Sequence, residues 1–339
     1  MKYRNVIMPS NSLSKVLVTG GAGFFGSHIC EQLLLDGKQV IIVDVFNDET
    51  SSAYEKRNYI EYLIDLSNKI KDSQLTVYDF DILEEGRLCE LLKKEKPVSC
   101  VHAAALVMDR KSVQKPIQYI INNIQGTQHL LNAIRRTDTI KHLVLISSRS
   151  AVGETFSFDD KMSENDLLRP INPYGATKAA AEDLCFAFHK NFGISVSICR
   201  MWPMYGSRCR RDMMPRLLFE SALFGKAVDK YGTGEAIRDW LYVEDGALGV
   251  LAALKHPDNY SIFHFGTGIA TTLNELIQMV SEISGKKLNL NYKDIPRGDA
   301  VYAGLCNYQK AKKVLGWEPK VDLRTGFNMM YQYMLSTRT

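Results

Sequence analysis

The sequence of 339 residues contains no CxxC pair, and its 7 cysteines are scattered without a disulfide-like spacing. An odd number of isolated thiols is typical of a reduced, intracellular protein, so we expect a cytoplasmic location. No apolar run approaches the roughly 18 residues that a membrane-spanning helix needs, so no membrane partner is expected. Residues 1–13 also lack the apolar core of a signal peptide and are expected to form a loose N-terminal extension.

Charge of one sign is not concentrated anywhere in the chain. The 42 basic and 38 acidic residues are intermixed and leave a net charge of +4. A nucleic-acid-binding protein usually carries a concentrated basic face, so we expect no nucleic-acid partner, whereas a small anionic ligand fits this balance. The composition, 45% apolar and 24% charged, is ordinary for a globular protein with a large core.

Short apolar runs alternate with helix-length segments up to about residue 200. The runs are rich in β-branched residues and almost unbroken, which is typical of parallel strands buried on both faces. We predict strands at Val16–Thr19, Val40–Val43, Leu75–Tyr78, Cys100–Ala103, Leu143–Ile146 and Val196–Cys199, with helices at Ser27–Leu35, Ile117–Ile134 and Tyr174–Phe192. This order predicts an α/β fold with a Rossmann-like, doubly wound parallel sheet. Further helices at Met213–Phe224 and Leu273–Ile283 suggest a smaller α-rich substrate-binding region.

A glycine-rich turn follows the first predicted strand and opens the first predicted helix. Its glycines, Gly20, Gly23 and Gly26, let the backbone turn sharply, approach a pyrophosphate and pack helix against strand. The free N–H groups and positive dipole end of the helix then hold the phosphates. Asp44 ends the second strand, where its carboxylate can accept hydrogen bonds from the adenine ribose hydroxyls. A 2′-phosphate would meet a like charge there, so NAD is the expected cofactor and no metal is expected.

These elements suggest three parts of the chain. We expect an N-terminal extension at 1–13 and an NAD-binding Rossmann domain at 14–200. The remainder, 201–339, is expected to be mainly the substrate-binding region, with segments that return to the Rossmann domain.

Three further residues indicate oxidoreductase-type chemistry. Tyr174 and Lys178 lie one helical turn apart, and Ser148 ends the fifth predicted strand. A lysine ammonium beside a phenol favours the phenolate, so the pKa of Tyr174 is expected to fall from about 10 toward neutrality. Most isolated YxxxK patterns are surface pairs, but here the pattern follows a glycine turn and a strand-terminal serine.

With these residues in place, the chain resembles the extended short-chain dehydrogenase/reductases, specifically the NAD-dependent nucleotide-sugar epimerase/dehydratase family. The resemblance runs from about Lys15 to Pro319. Its motifs are the TGxxGxxG segment, His102-Ala103-Ala104, Asn123-Ile124-Gln125-Gly126-Thr127, the Tyr174/Lys178 pair, Tyr205-Gly206, Tyr231-Gly232-Thr233-Gly234, Arg238-Asp239-Trp240, Pro296-Arg297-Gly298-Asp299 and Lys310-Ala311-Lys312-Lys313-Val314-Leu315-Gly316-Trp317.

The resemblance implies roles for individual residues. It places the catalytic hydroxyl on Ser148, beside Tyr174 and Lys178. It implies cofactor contacts at Gly20, Gly23, Phe24, Phe25, Gly26, Asp44, Asp81, Ile82, Ala103, Ala104, Tyr174 and Lys178, and substrate contacts at Arg110, Arg149, Ser150, Arg210, Arg238 and Asp299. It also implies a homodimer built on the helices at Ile117–Ile134 and Tyr174–Phe192. Their apolar side chains, some of which must face the sheet, include Tyr119, Leu130, Leu131, Phe186 and Phe188.

Within that family the chain is most similar to the UDP-glucuronate 4-epimerases. The similarity rests on Val43–Asp48 with Lys56-Arg57 after it, on Arg110, and on Arg210-Arg211-Asp212-Met213. Arginine suits these positions because its planar fork binds phosphate or carboxylate with two hydrogen bonds. The similarity implies that Tyr174 removes the proton from the sugar's C4 hydroxyl. Hydride transfer to NAD then gives a 4-keto intermediate, and hydride return to the opposite face inverts C4.

The sequence departs from the family pattern mainly in the sugar pocket. The usual Val-Tyr-Gly reads Ala151-Val152-Gly153, and Pro203 replaces a threonine or asparagine. Asn307 replaces an aspartate near the last helix. Arg149 stands at a serine-like position, where it either brings a cation to a uronate carboxylate or points away.

The residues at these positions argue against some alternative functions and leave others open. Arg149 and Ser150 stand where dehydratases carry an Asp-Glu pair, so no acid/base pair is available for water elimination. Related decarboxylases place a glutamate at the Ser150 position. A 4-ketoreductase or another UDP-hexose epimerase would need the same Ser148, Tyr174 and Lys178. A non-catalytic NAD-binding regulator would not need to keep both Tyr174 and Lys178.

Overall fold

A computed structural model describes residues 14–48, 51–153, 161–295 and 304–337. The predicted N-terminal extension therefore lies outside the described residues. The strands, in chain order from β1 to β15, are Lys15–Thr19, Gln39–Asp44, Gln74–Asp79, Ser99–His102, His142–Ser148, Lys161–Met162, Ser195–Met201, Met204–Tyr205, Val228–Tyr231, Ile237–Arg238, Leu241–Tyr242, Tyr260–Phe265, Thr271–Thr272, Leu290–Lys293 and Leu305–Cys306.

Seven of these strands form one parallel sheet in the order β12-β7-β5-β4-β1-β2-β3. The chain runs from β1 outward through β2 and β3, then returns to the other side of β1 at β4. Ligands of such sheets bind at the carboxyl ends of the strands where the order reverses, here between β1 and β4. The predicted doubly wound sheet is confirmed, and all six predicted strands belong to it.

The helices complete an α/β architecture. From α1 to α12 they are Phe24–Leu35, Ala53–Lys69, Glu85–Glu95, Asp109–Gln114, Pro116–Tyr119, Gly126–Thr137, Pro173–Phe192, Met214–Phe224, Val243–Lys255, Leu273–Ser284, Gln309–Leu315 and Leu323–Ser336. A π-helical segment, Ile120–Gln125, connects α5 to α6, and a short 3₁₀ turn, Arg149–Ala151, follows β5. None of the helices within the described ranges is both long and apolar enough to cross a membrane.

Each face of the sheet is covered by its own apolar layer. Alternate residues of β1 point to opposite faces, so Val16 and Val18 pack with α1, α2 and α9, whereas Leu17 packs with α3, α6 and α7. All three side chains are at most 2% exposed. Burial on both faces explains why the strands are unbroken apolar runs in the sequence.

The residues after about 200 form a third apolar cluster and also rejoin the sheet. Helices α8, α10 and α12 pack around Phe219, Val280 and Phe327, which are fully buried. β12 adds the seventh strand beside β7, which the sequence pattern did not reveal. The division of the chain near residue 200 stays a prediction.

The predicted helix at Ile117–Ile134 is interrupted by the π-helical segment. Asn123 is buried there, and its side chain bonds to both backbone groups of Leu106, with N–O distances of 2.8 and 2.9 Å, and to the hydroxyl of Thr177 at 3.0 Å. The wider turn brings Asn122 into reach of Leu106 N as well, at 3.2 Å. A π-turn of this kind is often found at a functional site, and this one braces the loop after β4.

Candidate active site

The glycine turn leaves the first helix open toward a cavity. Gly20 has φ +73°, and a Cβ there would lie 2.6 Å from the backbone nitrogen of Ala104, so only glycine fits. A Cβ on Gly26 would lie 2.0 Å from the carbonyl oxygen of Gly20. Helix α1 begins at Phe24, and its N-cap, Gly23, provides no side-chain cap. Its first N–H groups are thus available to an anionic ligand.

Asp44 lies at the carboxyl end of β2 beside this turn. Its Oδ2 accepts a hydrogen bond from Ala22 N at 2.9 Å, and its Oδ1 accepts one from Val45 N at 2.8 Å. Lys56, which is 3% exposed, places its ammonium 3.1 Å from the same Oδ1. The sequence had offered Lys56 only as part of a resemblance, and the structure shows that it fixes the carboxylate.

A cavity of about 590 Å³ extends from this turn across the end of the sheet. It is lined by all the residues predicted to contact the cofactor: Gly20, Gly23, Phe24, Phe25, Gly26, Asp44, Asp81, Ile82, Ala103, Ala104, Tyr174 and Lys178. Ser148 and four of the predicted substrate residues, Arg149, Ser150, Arg210 and Arg238, line the same cavity. The fold therefore brings the turns after β1 and β4, the ends of β2 and β5, and the start of α7 to one place.

The candidate catalytic residues are close together. The hydroxyl of Ser148 is hydrogen-bonded to the phenol of Tyr174 and also accepts from Ser150 N at 3.1 Å. Lys178 directs its ammonium to the carbonyl oxygen of Ile146 at 2.9 Å, and its Nζ lies 6.0 Å from the centre of the Tyr174 ring. The side chains thus form a group at the end of β5, with Asn172 capping the helix that carries two of them.

The expected lowering of the Tyr174 pKa is wrong for the chain alone. Burial is the largest influence and, with the negative charge of Asp109, raises the pKa of Tyr174 to about 12. The hydrogen bond from Ser148 and the charges of Arg210 and Arg149 oppose this rise without cancelling it. Lys178 is not among the main influences on this pKa, and its ammonium donates to the carbonyl oxygen of Ile146 in β5.

Lys178 itself belongs to a buried polar network. Burial lowers the pKa of Lys178 to about 8, and the negative charge of Glu182, one turn further along α7, opposes this shift. Glu182 accepts a short hydrogen bond from Ser147 and pairs with Arg200 on β7 at 2.8 Å; both ion-pair side chains are 3% exposed. The sequence analysis missed Glu182 and Arg200, although Glu182 shares the helix face of Lys178.

The predicted substrate arginines differ in their surroundings. Arg149 is 5% exposed and donates to the carbonyl oxygen of Gly153 at 3.0 Å, so it does not point away into solvent. Arg210 makes two hydrogen bonds of 2.9 Å to the carboxylate of Asp212. Both cations lie within electrostatic range of Tyr174.

A second cavity, also of about 590 Å³, adjoins the first. Arg110 lies on its wall, with its guanidinium 4.1 Å from the centre of the Tyr231 ring. Arg238 lines both cavities and donates to the carbonyl oxygen of Ile237 at 2.7 Å. Asp299, the remaining predicted substrate residue, lies outside the described residues. Within the described ranges, no group of three or more His, Cys, Asp or Glu side chains is arranged to hold a metal ion.

The motif Arg238-Asp239-Trp240 is partly structural. Asp239 is 1% exposed, and its carboxylate accepts from the backbone nitrogens of Thr267, Gly268 and Cys306 at 2.7 to 3.0 Å. It therefore joins its own segment to the loop after β12 and to β15, which fixes the position of the neighbouring Arg238.

The fold and this site are those of a nucleotide-sugar-modifying short-chain dehydrogenase, and the chain belongs to the GDP-mannose 4,6 dehydratase family, whose model matches residues 17–330. Among curated relatives it is 32% identical to the uncharacterized UDP-glucose epimerase YtcB of Bacillus subtilis, over 95% of this chain and 98% of the relative. It is 31% identical to the UDP-glucuronate 4-epimerase of Thermodesulfobacterium geofontis, over 91% of this chain and 93% of the relative.

The solved structures that match this chain include UDP-sugar 4-epimerases. The UDP-glucuronic acid 4-epimerase of Bacillus cereus, in complex with UDP-glucuronic acid and NAD, matches with a TM-score of 0.85 and 33% identity, over 95% of this chain and 99% of that one. The UDP-glucose 4-epimerase of Thermotoga maritima, with UDP-glucose, matches with a TM-score of 0.84 and 30% identity, over 96% and 100%. The predicted resemblance to the epimerase/dehydratase family is thereby confirmed.

Proposed function

We propose that the protein is an NAD-dependent 4-epimerase of a UDP-sugar, with UDP-glucuronate as its substrate. The observation that carries the proposal is the placement of Ser148, Tyr174 and Lys178 in one cavity with the glycine turn and Asp44. The similarity to two UDP-glucuronate 4-epimerases over nearly the whole chain supports the choice of substrate.

The described residues fit NAD. The uncapped start of α1 offers N–H groups to a pyrophosphate, and the Asp44 carboxylate is held in place for a ribose diol. Asp81 accepts from Leu83 N at 2.9 Å, which sets its carboxylate at the cavity wall beside Ile82. Bound NAD would supply a hydride acceptor and one positive charge near Tyr174.

The side chains of the site determine where the proton of the sugar's C4 hydroxyl moves. Tyr174 accepts the proton of the sugar's C4 hydroxyl, and Ser148, already hydrogen-bonded to the phenol, shares the same oxygen. Lys178 lies beside them, with its Nζ 6.0 Å from the centre of the Tyr174 ring. Because a neutral Tyr174 is the resting state, the phenolate forms only when further positive charge stabilises it.

The two adjoining cavities support a placement of the substrate. Arg238, which borders both, suits a diphosphate that crosses between them, and Arg210 lies close enough to assist. Arg149 supplies a buried cation near Tyr174 for a uronate carboxylate. Contacts from Arg110, Ser150 and Asp299 to the substrate remain predictions.

The proposal is tested by turnover without added cofactor. Purified protein is incubated with UDP-glucuronate, UDP-glucose and other UDP-sugars, and the products are identified by NMR. An epimerase converts one of them into its C4 isomer with catalytic amounts of bound NAD. A 4-ketoreductase would instead give no C4 isomer and would consume one NAD for each UDP-sugar that it oxidises to the 4-keto form. Turnover by Tyr174→Phe at the wild-type rate would refute the assigned chemistry.

We also propose that the protein is a homodimer. Of the five side chains predicted as apolar surface, Tyr119, Leu130, Leu131 and Phe188 are buried within the monomer, and only Phe186 is exposed, at 44%. Part of this surface is expected to face the sheet, and Leu130, Leu131 and Phe188 do so, whereas Tyr119 is buried against the loop after β4. Ile117, Ile120 and Ile121 are exposed on the first of the two predicted interface helices, and Phe186 and Phe192 are exposed on α7. These apolar side chains support an interface on the same helices.

A cytoplasmic location is proposed on chemical grounds. All seven cysteines are free thiols, and six of them are buried. Such thiols persist in a reducing compartment. Fractionation of cells that express the natural protein, with the enzyme activity as the marker, would test the location.

A further inference from the structure

One carboxylate in the site, that of Asp109, contacts no ligand in the proposed chemistry. Asp109 is the first residue of α4 and lines both cavities. Its Oδ1 is shielded from solvent and has no hydrogen-bond partner among the described residues. A buried acceptor without a partner destabilises a fold, so its presence in a cavity points to a ligand that supplies the missing donor.

The backbone before Asp109 is strained, and hydrogen bonds fix it on both sides of Asp109. Met108, the preceding residue, has φ +91°, which is rare for a residue with a side chain. The Tyr119 hydroxyl donates to the carbonyl oxygens of Val107 and Met108, at 2.5 and 3.2 Å. Ser112 donates to the carbonyl oxygen of Asp109 at 2.6 Å. Strain of this kind persists where the surroundings enforce it, commonly at ligand-binding sites.

The position of Asp109 identifies the part of the substrate that it meets. It is one of a few residues shared by both cavities, and among the charged groups near Tyr174 it is the one that most raises the pKa of that phenol. The reacting sugar must lie beside Tyr174, whereas the diphosphate is an anion that Asp109 repels. The hydroxyls of that sugar are donors that suit the Asp109 carboxylate.

We propose that Asp109 is a sugar-binding residue, whose carboxylate accepts a hydrogen bond from the C2 or C3 hydroxyl of the UDP-linked sugar. The proposal rests on the proposed function for the nature of the ligand. The C4 hydroxyl is taken by Tyr174 and Ser148, and a uronate has a carboxylate at C6, which leaves these two hydroxyls. Asp109 and Arg149 thus place opposite charges around the sugar, which orients a ring that carries hydroxyls on one part and a carboxylate on another.

The test measures binding, so it does not depend on turnover. Affinities of the NAD-loaded protein for UDP and for UDP-glucuronate are compared by calorimetry. Asp109→Ala is expected to lower the preference for UDP-glucuronate over UDP by about 10- to 100-fold, as for the loss of one hydrogen bond to a charged group. Asp138→Asn, a change at an exposed carboxylate on the end of α6, should leave that preference unchanged.

Two further measurements separate a ligand contact from a structural one. Wild-type protein should lose a similar factor with either the 2-deoxy or the 3-deoxy analogue of UDP-glucuronate, and Asp109→Ala should lose nothing more with that analogue. Asp109→Asn keeps the shape of the side chain and should leave the unliganded unfolding temperature unchanged or higher. An unchanged preference for UDP-glucuronate over UDP in Asp109→Ala, or a lower unfolding temperature in Asp109→Asn, would overturn the proposal. If the protein binds UDP-glucuronate without inverting it, the proposed function fails while the role of Asp109 can still be measured.

Discussion

The buried ion pair between Glu182 and Arg200 gives the sharpest stability prediction. Both side chains are 3% exposed, and the guanidinium of Arg200 makes three hydrogen bonds to the Glu182 carboxylate, of 2.8 to 3.2 Å. Glu182→Leu would leave the Arg200 charge without its partner and would remove the acceptor of the Ser147 hydroxyl. Breaking a buried pair from one side costs about 3–5 kcal/mol.

A double-mutant cycle measures this coupling directly. Because removal of the whole pair is much less costly than removal of one partner, Glu182→Leu combined with Arg200→Met should recover most of the about 3–5 kcal/mol that Glu182→Leu alone costs. Urea unfolding followed by circular dichroism gives the free energies. If Glu182→Leu costs less than about 1 kcal/mol, or if the two single changes simply add, the pair is not coupled as the geometry indicates.

The Glu182 carboxylate should also affect the pH dependence of turnover. Burial lowers the pKa of Lys178 to about 8, and Glu182 opposes this shift. If catalysis needs Lys178 charged, kcat should decline as pH rises through about 8, and in Glu182→Gln the decline should begin at lower pH. Glu220→Gln, which changes a carboxylate on α8 paired with Arg216, should leave the profile in place. An alkaline limb that does not move in Glu182→Gln would separate Glu182 from Lys178.

Three further predictions concern chemistry, cofactor choice and assembly. Tyr174→Phe should lower kcat by at least about 10²–10⁴-fold while NAD and UDP-sugar still bind, as measured by turnover and calorimetry. Asp44→Ala should weaken the binding of NAD and reduce the preference for NAD over NADP, since Lys56 would remain to pair with a 2′-phosphate. Equal affinity of the wild-type protein for NAD and NADP would contradict this. Ile117→Glu should convert the proposed dimer into a species near the 38.3 kDa monomer mass in light scattering.

The parallel sheet and the cofactor turn were predictable because their signals are local. Strands buried on both faces must be nearly continuous apolar runs, and the pyrophosphate turn needs glycine where a Cβ would strike Ala104 or Gly20. β12 gave no such signal. Its sequence, Tyr260–Phe265, is interrupted by two buried polar residues, Ser261 and His264. Nothing near it in the chain shows that it returns to β7.

The contacts that the sequence did not reveal depend on distant parts of the chain. Asp109 becomes notable only because Met108 adopts a positive φ and Tyr119 fixes the loop. The π-turn arises because Asn123 reaches Leu106 across the site, a tertiary bond that helical periodicity does not encode. Lys56 and Asp44 lie on different elements, and their pairing requires α2 to fold back over the end of β2.

The electrostatics around Tyr174 make proton removal conditional on the ligands. Burial and Asp109 hold the pKa of Tyr174 near 12, so the phenol stays protonated in the protein alone even with Arg149 and Arg210 nearby. A sugar hydroxyl that hydrogen-bonds to Asp109 would disperse its charge and weaken that opposition. Positive charge from a bound cofactor would act on the phenol in the same direction. The phenolate would therefore be favoured only when cofactor and sugar are both in place, which ties the start of the reaction to a complete complex.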